Sequence, residues 1–131
     1  EIYRHQGDFS SALSCFEKLR TITMERGLNG WLCHAYLGLA SLYYILGKYE
    51  VTHDYLDKAH EIYAKLEQRW GLINTDMLRY ITYQKQCKSD FYESLEETLE
   101  LAKESQYQYN IEILCKIKNK IIIDEYHLFF L

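Results

Sequence analysis

The feature that most constrains this chain is a residue pattern that occurs twice. Tyr43, Gly47, Tyr49, Thr52, Leu56 and Ala59 form one copy. Forty residues earlier stand Tyr3, Gly7, Phe9, Ala12, Phe16 and Leu19. A fixed offset that returns an aromatic, a glycine, an aromatic, a small residue and two apolar residues in order marks an internal repeat. Residues 43–46 read as the last turn of one helix. Gly47 stands where that helix stops, at a left-handed backbone position that costs glycine least. Tyr49, Thr52, Leu56 and Ala59 then follow at steps of three and four, which lays them on one stripe of a second helix. The unit is two antiparallel helices joined by a tight turn. Neither helix can bury its stripe alone, so the units must stack.

This pattern resembles the tetratricopeptide repeat. Leu39, Ala40, Tyr43, Gly47, Tyr49, Leu56 and Ala59 match the family signature, with Thr52 where alanine is usual. In the first copy Tyr3, Gly7, Phe9, Ala12 and Phe16 match. The standard repeat has about 34 residues; this one has forty and lacks the closing proline. Longer, proline-free repeats are similar to those of bacterial peptide-sensing regulators and some cell-polarity scaffolds. The resemblance covers residues 1–66 and weakens over 67–105. It implies an all-α, right-handed stack of about three helix pairs, whose first helices line a concave groove. By repeat phase the groove residues are His34, Leu37, Ser41 and Tyr44, then Thr75, Leu78, Arg79 and Thr82. A groove mixing apolar, hydrogen-bonding and cationic groups suits an extended peptide or a partner helix. The expected role is the sensor or interaction part of a bacterial transcription regulator, with a DNA-binding or effector domain upstream. The alternative is a scaffold or a homodimer joined through the apolar C-terminal helix.

Composition agrees with long helices. The chain has 131 residues, enough for a single domain over 1–131 with a core, and no proline. Its net charge of −4 disfavours direct nucleic-acid binding by this segment, because phosphate contacts need a basic surface. No run of 18 apolar residues is present, so no membrane span is expected. Cys15, Cys33, Cys87 and Cys115 form no CxxC pair and lie among apolar neighbours. They read as reduced, half-buried thiols of a cytoplasmic protein, without a zinc site or disulfide framework.

Taken in order, Glu1 falls by repeat phase inside the last turns of a helix ending near Gln6, so the chain reads as a piece of something longer. Residues 9–26 form the second helix of repeat one, capped by Asp8, with Phe9, Ala12, Leu13, Phe16, Leu19, Ile22 and Thr23 as its stripe. Residues 27–30 form a turn. Residues 31–46 are apolar nearly all round and should be sandwiched between neighbours. Their partner spans 49–68, and Trp70 and Gly71 mark the next turn. Residues 72–87 form a third first-helix. Asp90 and Glu93 form a capping box ahead of its partner, and Phe91 takes the place of Tyr49 at an offset of 42. A fourth first-helix is expected within 107–131. The apolar end, residues 126–131, should be covered by the preceding repeat, a second chain or a further repeat.

His53, Asp57 and His60 share one helix face at a spacing that suits a metal. A solvated outer face beside Asp54 and Glu61 is the simpler explanation, because such combinations arise freely on polar helix faces, and no metal or cofactor is expected. His60-Glu61 is not followed by the second histidine of a metalloprotease helix. The acidic run from Asp90 to Glu104 and the lysines at 116, 118 and 120 read as solvated helix faces. No glycine-rich phosphate loop, nucleophile elbow or other catalytic frame is present, so the chain reads as a binding module and not an enzyme.

Overall fold

The structure, a computed structural model, describes residues 6–121, with side chains described from Phe9 onward. Among the described residues six helices follow one another: α1 (Gln6–Arg26), α2 (Asn29–Ile45), α3 (Tyr49–Lys65), α4 (Arg69–Lys85), α5 (Tyr92–Glu104) and α6 (Gln108–Lys118). Among the described residues there is no strand. Each helix packs on the next, and α4 also touches α2 and α6. The even-numbered helices therefore form a continuous inner row. One hydrophobic core runs along the stack from Leu32 to Ile117.

Sequence pattern explains these placements. Residues 32–42 of α2 are buried except for half-buried His34, because this helix is apolar on all sides and is packed by α1, α3 and α4. By contrast, α3 buries only Thr52, Leu56, Ala59 and Tyr63, at steps of four, three and four. In α5 the buried stripe is Leu95, Thr98, Leu99 and Ala102, and its glutamates stay exposed. The fourth first-helix appears as α6, with Ile113, Leu114 and Ile117 inside.

The turns depart from the sequence reading. Each of the six helices is followed by a residue with positive φ: Gly27, Gly47, Glu67, Cys87, Gln106 and Lys120. The first four are spaced by twenty residues. All six close in one way. At the second turn Gly47 N–H donates to the Tyr44 carbonyl (3.0 Å) and Lys48 N–H to the Tyr43 carbonyl (2.9 Å). The same pair of bonds recurs from Glu67 and Gln68, and from Gln106 and Tyr107. This pair of hydrogen bonds satisfies two of the four orphan carbonyls of a helix end. Only two of the six positions carry glycine, so Trp70 and Gly71 are not a turn. They lie inside α4, and the chain reverses at Glu67. Similarly, Gly30 lies in α2, which begins at Asn29. Glu67 is exposed at φ 54°, a conformation that costs a non-glycine residue roughly 1–2 kcal/mol, partly offset by glycine's extra freedom in the unfolded chain. Glu67→Gly is therefore expected to raise the unfolding free energy by about 0.5–1 kcal/mol, read as a higher urea midpoint. An unchanged or lower midpoint would contradict this account.

Three further expectations change. Gly7 lies within the helical residues of α1 rather than at a helix stop. The α5 N-cap is Phe91, without a side-chain cap bond, so Asp90 and Glu93 form no capping box. Phe91 instead turns inward and stacks on Tyr80 (ring centroids 5.6 Å) and Tyr92 (4.5 Å). Cys15 and Cys87 are exposed, Cys115 is half-buried and Cys33 is buried. The readings made for residues 1–5 and for the apolar end at 122–131, including its role as a dimer surface, lie outside the described residues.

Candidate functional site

Residues assigned to the inner groove separate into three environments. Leu37, Ser41, Tyr44, Thr75, Leu78 and Thr82 are buried. Ser41, Thr75 and Thr82 satisfy their hydroxyls within their own helices. Ser41 donates to the Leu37 carbonyl (3.0 Å), Thr75 to that of Gly71 (2.7 Å) and Thr82 to that of Leu78 (2.8 Å). In this conformation the six side chains belong to the packed interior and do not line an open groove. The inner helices are enclosed by neighbours on more sides than repeat phase alone indicates. Arg79 lies elsewhere, at the seam between α3 and α4. Of the eight, only His34 is held beside an exposed aromatic surface.

That surface is built on the first turns of the inner helices. Trp31 in α2 is 62% exposed, the most exposed large apolar side chain among the described residues. Its ring centroid lies 6.0 Å from that of His34, and Trp70 of α4 lies 5.8 Å from His34 on the other side. Below them the buried Tyr63 of α3 meets His34 edge-on (6.0 Å), its hydroxyl 3.2 Å from His34 Nδ1. Burial keeps the Tyr63 phenol protonated far above the physiological range, so it can donate to Nδ1 and leave the proton of a neutral ring on Nε2. Burial also lowers the pKa of His34, which favours that neutral ring. One repeat further, Tyr109 occupies the second residue of α6, as Trp70 does of α4, and is 37% exposed. Repeat phase does not point to this surface, because the recurring groove pattern falls at mid-helix positions. The visible signal was two tryptophans and a tyrosine spaced by 39 residues.

His53, Asp57 and His60 do more than face solvent. They join α3 to α4. Arg79 donates to Asp57 Oδ1 and, at 3.1 Å, contacts His53 Nδ1. His53 Nε2 lies 3.0 Å from Gln86 Oε1, so the arrangement suits a neutral ring protonated on Nε2. His60 Nε2 stands 3.6 Å from Asp76 Oδ1. Among the described residues no group of three or more His, Cys, Asp or Glu side chains is placed to hold a metal. On α6, Lys118 pairs with Glu96 of α5 at 2.8 Å, which raises the lysine pKa and ties part of the acidic run to its neighbour.

Successive antiparallel helix pairs, an enclosed inner row and exposed aromatics on that row define an all-α helical-repeat stack, the architecture of interaction modules. The model of the tetratricopeptide repeat family matches residues 1–65, and the helix pairs beyond residue 65 continue the same stack. Repeats of this family are generally non-catalytic protein-interaction modules. No curated protein and no solved structure matches the chain. No helix among the described residues is long and apolar enough to cross a membrane.

Proposed function

We propose that this chain binds a peptide or a protein segment on its inner row, with Trp31, His34 and Trp70 as the anchoring surface. The observation that carries this reading is the exposure of Trp31 beside two rings that are themselves fixed by packing. Tryptophan and tyrosine dominate binding hot spots because they supply large, rigid contact area. An exposed tryptophan backed by two half-buried rings is the kind of apolar patch that marks an interaction site. Repeat length and the absence of proline further support a sensor role in a bacterial regulator, by the resemblance described above.

A peptide library displayed on phage tests the reading. Peptides selected on the full chain are expected to bind Trp31→Ala at least about tenfold more weakly, the size of a hot-spot loss. The melting temperature should be little changed, because so exposed a side chain contributes little to the core. Selected peptides that bind the variant as tightly as the parent would overturn it. A concentration-dependent mass that Trp31→Ala abolishes would instead assign the surface to self-association.

A further inference from the structure

The groove above α2 and the groove above α4 occupy the same place in successive repeats, but their side chains differ in kind. Above α2, Tyr36 and Tyr43 each pack on Tyr55 of α3, with ring centroids 5.9 and 5.8 Å apart. The ammonium of Lys58 lies over Tyr36 (5.7 Å) and Tyr55 (5.4 Å). Aromatic rings and a cation from the chain itself fill that groove.

Forty residues on, Tyr36 becomes Asp76 and Tyr43 becomes Tyr83. With the offset of 42 that aligns Tyr49 with Phe91, Tyr55 becomes Glu97 and Lys58 becomes Glu100. Two rings have been exchanged for shorter carboxylates, and a cleft of about 430 Å³ stands open between α4 and α5. One wall remains aromatic: Phe91 stacks on Tyr80 and lies 5.6 Å from Tyr83. Asp76, Asp90 and Glu97 supply three carboxylates to its lining. Arg79 is the one lysine or arginine in that lining, and it is already engaged by Asp57. Asp76 is held at the base by His60 and by the Thr98 hydroxyl, which donates to Oδ2 at 3.4 Å. Thr98 also bonds the Tyr80 hydroxyl at 2.8 Å.

We propose that this cleft receives an arginine side chain presented by a basic segment of a partner protein. Charge complementarity and the aromatic wall select this occupant together. A guanidinium stacks on an aromatic face and pairs with carboxylates through a planar fork, whereas an ammonium does only part of this. The companion groove shows how a cation sits over such rings, through Lys58. Burial pushes the Asp76 carboxyl above its ordinary range, and an incoming cation would relieve that cost. The site is separate from the Trp31 surface, so it stands or falls independently of the proposed function.

The test uses the full chain and an acetylated hexaarginine peptide at about 0.15 M salt, where charges more than roughly 8 Å apart are screened. Asp90→Asn combined with Glu97→Gln alters two exposed positions and should leave folding intact. Loss of two exposed ion pairs is expected to weaken hexaarginine binding about five- to tenfold. Glu25→Gln combined with Glu61→Gln, which removes the same charge elsewhere, should leave binding unchanged. Amide shifts on adding peptide should centre on Tyr83, Asp90, Ser94 and Glu97. Equal weakening by both double variants, shifts scattered over the surface, or no binding would overturn the proposal. Hexalysine binding as tightly as hexaarginine would overturn the choice of a guanidinium.

Discussion

Gly71→Ala is expected to lower the unfolding free energy by about 1–3 kcal/mol. Helix propensity alone predicts the opposite, since alanine is favoured over glycine inside a helix by roughly 1 kcal/mol. Packing decides the sign. A Cβ at residue 71 would overlap the ring of Tyr63, which is fully buried between α3 and α4. The ring cannot swing aside without disturbing the close-packed core around it. Gly30 supplies the comparison, because a Cβ there meets nothing within 4 Å. Gly30→Ala should therefore be neutral or stabilising, by up to about 1 kcal/mol. A cycle with Tyr63→Leu isolates the contact: once the ring is gone, the alanine at 71 should cost little. Urea midpoints of the four chains read the result. Additive losses would show that the overlap is not the cause.

Asn110→Ala should cost about 2–3 kcal/mol, more than the small volume removed would suggest. Asn74 and Asn110 are both buried, at 0% and 3% exposure, and they link α4 to α6. The Asn110 amide donates to Asn74 Oδ1 at 3.0 Å, while the Asn74 amide donates to the Trp70 carbonyl at 2.8 Å. Truncating Asn110 removes the donor seen at Asn74 Oδ1 and leaves that oxygen away from water. The penalty comes from the partner left behind rather than from the bond itself. Replacing both asparagines with leucine should recover part of the loss, because no polar group then stays unsatisfied. If Asn110→Ala melts like the parent chain, the pair is not holding α4 and α6 together. The same Asn74 amide bonds the first turn of α4 beside Trp70, so the pair also supports one wall of the aromatic surface.

Much of the fold was legible because the repeat recurs in residue chemistry. Tyr49, Thr52, Leu56 and Ala59 pack along α3 as their spacing predicts. The turns after residue 47 were less legible, because the left-handed position passes from glycine to Glu67, Cys87 and Gln106. At those sites the backbone bonds hold the turn, and Glu67, Cys87 and Gln106 occupy the left-handed position despite its cost to a side chain. Trp70 and Gly71 were misplaced for the same reason: a glycine that serves close packing looks, in sequence, like one that serves a turn. The inner groove was the least legible part. On a helix surrounded by neighbours, the direction that faces solvent depends on which helix covers which flank, and no single-helix period encodes that. Leu37 and Thr75 accordingly fell inside. The aromatic surface lies in the first helical turns, where neighbours cover least.

The twenty-residue recurrence of one backbone closure also bears on how the chain folds. Each closure uses hydrogen bonds between residues at most five apart, and the main helix contacts join elements one or two places apart in order. Topology of this kind requires no distant ends to meet, so the conformational search is short and folding should be fast for the chain's length. It also means that stability is held in sections along the array rather than shared by the whole. A perturbation at one seam, such as the α3–α4 junction around Arg79, reaches the rest of the molecule through one neighbour at a time.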